Sequence, residues 1–154
     1  MTYLNGSFYE GGWVRGKKSG EGKETWPSGY IYEGFYDKGM RNGKGKESWV
    51  DGNVYEGMYK DGQRHGFGTE IRTDGYTFEG MQKQGKRHGE GKSSHPDGNS
   101  YSGIWVEGKR HGHGKATYPN GKIYEGNWSN DKRDGKGKVT YPNGKTYEGM
   151  WVDD

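Results

Sequence analysis

The apolar positions of this chain are mostly aromatic, and they recur with a single period. Tyr9, Tyr32, Tyr55, Phe78, Tyr101, Tyr124 and Tyr147 stand 23 residues apart without an insertion. Four residues after each comes a second ring, Trp13, Tyr36, Tyr59, Trp105, Trp128 and Trp151, with Gln82 in its place in the fourth repeat. With the first ring as repeat position 1, positions 1, 3, 5 and positions 12, 14, 16 each follow the two-residue alternation of a strand. The pattern therefore predicts two short strands per repeat, joined as a β-hairpin and repeated in tandem. Residues 1–8 form a partial repeat, 9–146 six full repeats, and 147–154 the start of a seventh.

Glycine punctuates the pattern at regular places. Positions 3, 12, 14 and 21 are glycine in every repeat, and position 8 is glycine except at Asp131. Counted with Gly6, these columns hold 31 of the 32 glycines, so the glycine is placed and not scattered. At positions 19 to 21 the chain reads Pro27-Ser28-Gly29, Pro96-Asp97-Gly98, Pro119-Asn120-Gly121 and Pro142-Asn143-Gly144, the chemistry of a three-residue hairpin loop. That loop predicts pairing of position 18 with 22, of 16 with the next position 1, and of 12 with the next position 5. A four-residue loop around position 8 would pair position 12 with position 5 inside the repeat as well.

The predicted register places position 15 opposite position 2, where opposite charges meet in Lys23–Glu33, Lys46–Glu56, Lys115–Glu125 and Lys138–Glu148. Cross-strand pairs of this kind contribute about 0.2–1 kcal/mol each. The other face carries the rings of both columns beside rows of glycine. Glycine weakens a strand unless something packs close to its backbone, and a large aromatic ring laid there buries about 150–250 Å². The expected core is aromatic rings on bare glycine backbone.

Composition narrows the class. Only 26% of the 154 residues are hydrophobic in the broad sense, too few for a two-layer aliphatic core, yet 15% are aromatic, which argues against disorder. Cysteine is absent, which excludes disulfides and thiolate metal sites. Residues Met1 to Phe8 lack the pattern of a secretory leader, and no stretch approaches the apolar length of a membrane span, so a cytoplasmic protein is expected.

The motif Tyr-Glu-Gly-x-Trp, then Gly-x-Gly, then Pro-Asn-Gly at this period resembles the MORN (membrane occupation and recognition nexus) repeat, and the resemblance covers essentially the whole chain. It implies an all-β fold: an elongated, single-layer, twisted antiparallel sheet of tandem hairpins. It also implies scaffolding, dimerisation and assembly near membranes or the cytoskeleton, including the spokes of cilia and flagella. Gln82 at position 5, with Arg72 and His95 at position 18, departs from a uniform aromatic groove.

Three candidate binding surfaces follow. The first is the aromatic face of Tyr9, Trp13, Tyr32, Tyr36, Tyr55, Tyr59, Tyr101, Trp105, Tyr124, Trp128, Tyr147 and Trp151. The second is a basic edge at the position 8 loops, comprising Lys17, Lys18, Arg41, Arg64, Lys86, Arg87, Lys109, Arg110, Lys132 and Arg133. Clusters spaced about 10 Å apart along a sheet suit anionic lipid headgroups such as phosphoinositides, or an acidic protein; the same residues also serve simply as a solvated edge. No nucleic-acid motif accompanies the charge. The third is a patch on the opposite face, where Met58, Phe67 and Met81 fall in one row with Ile71 nearby. Exposed Met and Phe of this kind mark a protein-binding patch or packing support.

His65, His88 and His111 recur once per repeat, too far apart to share a metal. Gly-x-Gly leads into strand and not helix, so it is no phosphate loop, and the recurring glutamates read as ladder partners. No cofactor and no catalytic constellation is expected. The reading is a non-catalytic scaffold, with a peripheral membrane adaptor as the alternative. An unfinished seventh repeat would leave an open strand edge for self-association or a partner.

Overall fold

The computed structural model describes residues 1–154 and is all β. Its strands are β1 (Phe8–Val14), β2 (Lys17–Thr25), β3 (Ile31–Asp37), β4 (Met40–Ser48), β5 (Val54–Lys60), β6 (Gln63–Ile71), β7 (Thr77–Lys83), β8 (Lys86–Ser94), β9 (Ser100–Val106), β10 (Lys109–Thr117), β11 (Ile123–Ser129), β12 (Lys132–Thr140) and β13 (Thr146–Trp151). They form one open antiparallel sheet in which strand order is chain order. Two compact units divide the chain, Met1–Thr73 with Gln82–Gly85, and Asp74–Met81 with Lys86–Asp154.

The loop between repeats has the expected form. Trp26 donates its amide to Tyr30 O at 2.9 Å, and Gly29 donates to Trp26 O at 2.9 Å. Position 20 supplies a side-chain acceptor for the position 22 amide: Asp51 for Asn53, Asp74 for Tyr76, Asp97 for Asn99, Asn120 for Lys122. This is the Asx device that pins a tight turn. The register follows, with Gly20 opposite Tyr36, Gly22 opposite Gly34, Lys23 opposite Glu33 and Glu24 opposite Tyr32.

The turn inside the repeat corrects the sequence reading. It is a two-residue turn with positive φ at both central positions, such as Arg15 at 50° and Gly16 at 73°, the geometry that matches strand twist. Position 5 therefore pairs with position 10 and not with position 12: Trp13 with Lys18, Tyr36 with Arg41, Tyr59 with Arg64. A bulge absorbs the extra residues before the register resumes at Gly11 opposite Gly22. The position 12 glycine belongs to this bulge, with φ between 62° and 90° from Gly20 to Gly135. It is there for conformation and not as a bed for a ring. The position 8 amide closes the gap between repeats, as when Gly39 donates to Lys18 O and Gly62 to Arg41 O, both at 2.9 Å.

Packing on the aromatic face is layered. The position 1 ring lies over the glycines at positions 3 and 14 of its own repeat: a methyl on Gly45 would meet Tyr32 Cζ at 2.7 Å, and one on Gly91 would meet Phe78 Cζ at 2.8 Å. The phenol then reaches the position 4 carbonyl, with Tyr9 donating to Gly12 O and Tyr101 to Ile104 O at 3.1 Å, and Tyr124 to Asn127 O at 2.9 Å. Position 5 rings stand edge-on between successive position 1 rings. Tyr36 lies 5.3 Å from both Tyr9 and Tyr32, and Trp128 lies 5.4 and 5.2 Å from Tyr101 and Tyr124. Such edge-to-face pairs contribute about 0.5–1.5 kcal/mol beyond burial. In the second unit the indole also donates to glycine, Trp105 to Gly91 O and Trp128 to Gly114 O at 3.2 Å. The buried rings form two clusters, one around Tyr9 to Tyr59 and one around Tyr76 to Trp128, and Gln82 stands where the fourth repeat would carry its position 5 ring.

Candidate functional site

The corrected turn changes where the basic residues lie. Lys18, Arg41, Arg64, Arg87, Arg110 and Arg133 all occupy position 10, half-buried on the aromatic face. Each guanidinium covers rings: Arg41 lies 4.4 Å from Tyr32, Arg64 3.9 Å from Tyr55, Arg87 4.5 Å from Phe78, Arg110 4.2 Å from Trp128 and Arg133 4.1 Å from Trp151. Lys18 sits 4.9 Å from both Tyr3 and Tyr9. Position 10 is thus the upper layer of the core, the partner that lets the rings bury on a single sheet. Of the ten basic residues assigned to the edge, the exposed ones are Lys17, Lys86, Lys109 and Lys132; Arg15, Lys38, Lys60 and Lys83 in the same turns are exposed as well. Lys86 meets Glu107 at 2.6 Å and Lys132 meets Asp153 at 3.7 Å.

Position 16 completes the arrangement in the first unit. Glu47 is buried and accepts from Tyr30 and Arg41 on one oxygen, at 2.5 and 2.7 Å, and from Arg64 on the other, at 2.8 and 2.5 Å. Glu24 accepts from Tyr36 at 3.1 Å and pairs with Lys18 at 2.5 Å. Burial raises the pKa of Tyr30 and Tyr36, and the neighbouring carboxylates push the same way. Burial alone would lower Arg41, but Tyr30 and Glu47 beside it raise it overall. In the second unit position 16 holds Ser93, Ala116 and Val139, so this ionic arrangement has no counterpart there. The signal was present in the sequence as the Glu24, Glu47, Glu70 column, yet it means nothing until position 10 is known to share its face.

The opposite face of the first unit carries a groove of 1210 Å³ that includes Phe35, Val54, Met58, Phe67 and Ile71 among its lining. Phe67 is 50% exposed, Ile71 51% and Phe35 43%. The groove floor alternates in charge along Glu10, Lys23, Glu33, Lys46 and Glu56, of which Lys23 and Glu33 close to 3.6 Å. Met58, Phe67 and Ile71 are the residues the sequence singled out. Phe35 and Val54 were overlooked, although alternation places both on this face. Met81, also exposed, belongs to the second unit.

The hairpin period, the ring and glycine columns and the paired register agree with one family. The MORN repeat model matches residues 9–29, 32–54, 55–75, 78–100, 101–123 and 124–146. The chain belongs to the MORN-repeat family. No curated protein matches it significantly. Solved structures to which the chain is similar include the SAS-4 (dCPAP) TCP domain of Drosophila melanogaster, in complex with a proline-rich motif of Ana2 (dSTIL), at 15% identity and TM-score 0.46, covering 86% of this chain and 85% of that one. The G-box domain of the microcephaly protein CPAP is similar at 14% identity and TM-score 0.46, covering 99% and 97%. No helix of the chain is long and apolar enough to cross a membrane.

Proposed function

We propose that this MORN array is a non-catalytic scaffold that holds segments of other proteins, and that the groove of its first unit is the principal docking surface. The observation that carries the reading is the exposed apolar row of Phe35, Met58 and Phe67 beside a floor of alternating charge. Apolar side chains in a groove supply affinity, and the charges restrict which partner fits. A cytoskeletal or ciliary assembly is the setting proposed for it, following the family resemblance. Proline-rich segments, like the one bound by the SAS-4 domain, are one class of partner to test. The test replaces Met58 and Phe67 with Lys and compares captured partners by pull-down from a ciliated cell extract. Loss of specific partners with an unchanged melting curve supports the groove, and an intact partner set rejects it. The anionic-lipid alternative rests on Lys17, Lys86, Lys109 and Lys132, the exposed part of the edge.

A further inference from the structure

Position 18 is tryptophan in two successive repeats, Trp26 and Trp49, and both indoles are half-buried at the rim of the first aromatic cluster. Tyr30 lies between them, 4.8 Å from Trp26 and 5.5 Å from Trp49, with ring planes tilted by 45° and 46°. Together with Arg41, Glu47 and Arg64 these rings line an open slot of 730 Å³. In the second unit Trp105, Trp128 and Trp151 each donate the indole N–H to a glycine carbonyl. Trp26 and Trp49 make no such bond.

We propose that the Trp26–Tyr30–Trp49 slot binds a proline-rich segment in the polyproline II conformation. The proposal rests on the protein-binding reading but uses a different face of the sheet from the groove. Hydrogen-bond complementarity favours this occupant. The four bonds Glu47 accepts saturate its carboxylate, so the slot presents two indole N–H groups and the guanidinium edges as donors, to which Ser28, Gln63 and Gln84 in its lining add groups that both donate and accept. A polyproline II strand has unpaired backbone carbonyls and, at proline, no N–H to satisfy.

The spacing agrees. Two strands advance about 9.6 Å per repeat, and three residues of polyproline II advance about 9.3 Å. Prolines at i and i+3 therefore meet Trp26 and Trp49 in turn. Two guanidiniums against one carboxylate leave the slot net positive, which favours a segment flanked by Asp or Glu. The third repeat has Arg72 and the fourth His95 at the same position, and between Tyr118 and Tyr141 of the fifth and sixth Lys122 stands where Tyr30 does, so the paired indoles with a ring between them occur only in the first two repeats.

The full chain, labelled for observation of its six indole N–H signals, is titrated with decaproline and with a Pro-x-x-Pro peptide carrying acidic flanks. The Trp26 and Trp49 signals shift in a saturable way while those of Trp105, Trp128 and Trp151 stay, and the acidic flank tightens binding. The double variant Trp26→His, Trp49→Arg uses residues the array already tolerates at this position, and it weakens binding about tenfold or more. Absence of shifts at millimolar peptide overturns the proposal, as do equal shifts with a glycine-serine peptide, shifts with maltohexaose in place of decaproline, or undiminished affinity in the double variant. The wild-type signals decide the matter even if that variant folds poorly. Partner capture through Met58 and Phe67 is a separate readout, so failure of one site does not imply failure of the other.

Discussion

Arg64 lies on the face of Tyr55, its guanidinium carbon 3.9 Å from the ring centroid, while the ring itself lies against the glycine backbone. The same stack of glycine, ring and cation recurs along the array. It explains how position 1 rings reach 0–3% exposure from Tyr9 to Tyr124 without a second sheet or a helix above them.

The Glu47 cluster holds two repeats together, because it pairs with Arg41 of its own repeat and Arg64 of the next. Glu47→Ala leaves both guanidiniums unpaired above the rings. Breaking a fully buried pair costs about 3–5 kcal/mol; with the arginines about one-fifth exposed, a loss of about 2 kcal/mol is expected in urea unfolding. A cost below about 0.5 kcal/mol would refute the clamp.

Glycine positions differ in tolerance. Gly45→Ala drives a methyl into the Tyr32 ring and should cost about 1–3 kcal/mol. Gly39→Asn, at a turn position where Asp131 already takes a φ of 71°, should change stability by under about 1 kcal/mol. Paired thermal melts of the two variants give the comparison.

Alkaline pH should unfold the protein through its tyrosines. Burial is the main cause that pushes Tyr32, Tyr55 and Tyr101 up to about 12, against the opposing pull of the arginine beside each. Their raised folded pKa means the unfolded chain ionises first, near pH 10. Stability is therefore intact below pH 10 and falls as pH rises from 10 to 12. Absorbance at the phenolate band should show a delayed fraction that ionises together with the loss of far-ultraviolet dichroism. A single unshifted titration near pH 10 without unfolding would contradict this.

Charge reversal should separate the two kinds of basic residue. Glutamate at Arg64, Arg87 and Arg110 removes the cations covering Tyr55, Phe78 and Trp128 and should lower the melting temperature by several degrees, at about 2–8 °C per kcal/mol. Glutamate at Lys17, Lys86, Lys109 and Lys132, all exposed, should leave it nearly unchanged. Phosphoinositide vesicle co-sedimentation with the lysine variant then reports lipid affinity in a folded protein. Undiminished binding by that variant rules out lipid attachment through these four lysines.

Sequence alone determined the hairpin period, the turn between repeats and the 15-to-2 register, because proline, Asx residues and glycine at fixed offsets permit one loop geometry there. It also marked Met58, Phe67 and Ile71, since alternation assigns a face once the register is known. The turn within the repeat was not legible: Arg15-Gly16 and Asp61-Gly62 suit several loops, and a non-glycine residue at positive φ leaves no composition signal. Only the tertiary structure showed that this turn is two residues long and that a bulge follows it. That offset moves position 10 from the expected loop edge onto the rings. It takes Arg41 and Arg64 off the expected loop edge and makes them the half-buried cover of the rings, beside the slot lined by Glu47, Tyr30 and the two tryptophans. The physical reason is that a two-residue turn leaves position 10 inside the strand, where the two-residue side-chain period sets it on the ring face, and the bulge takes up an even number of extra residues, so positions 14 and 16 keep that same face.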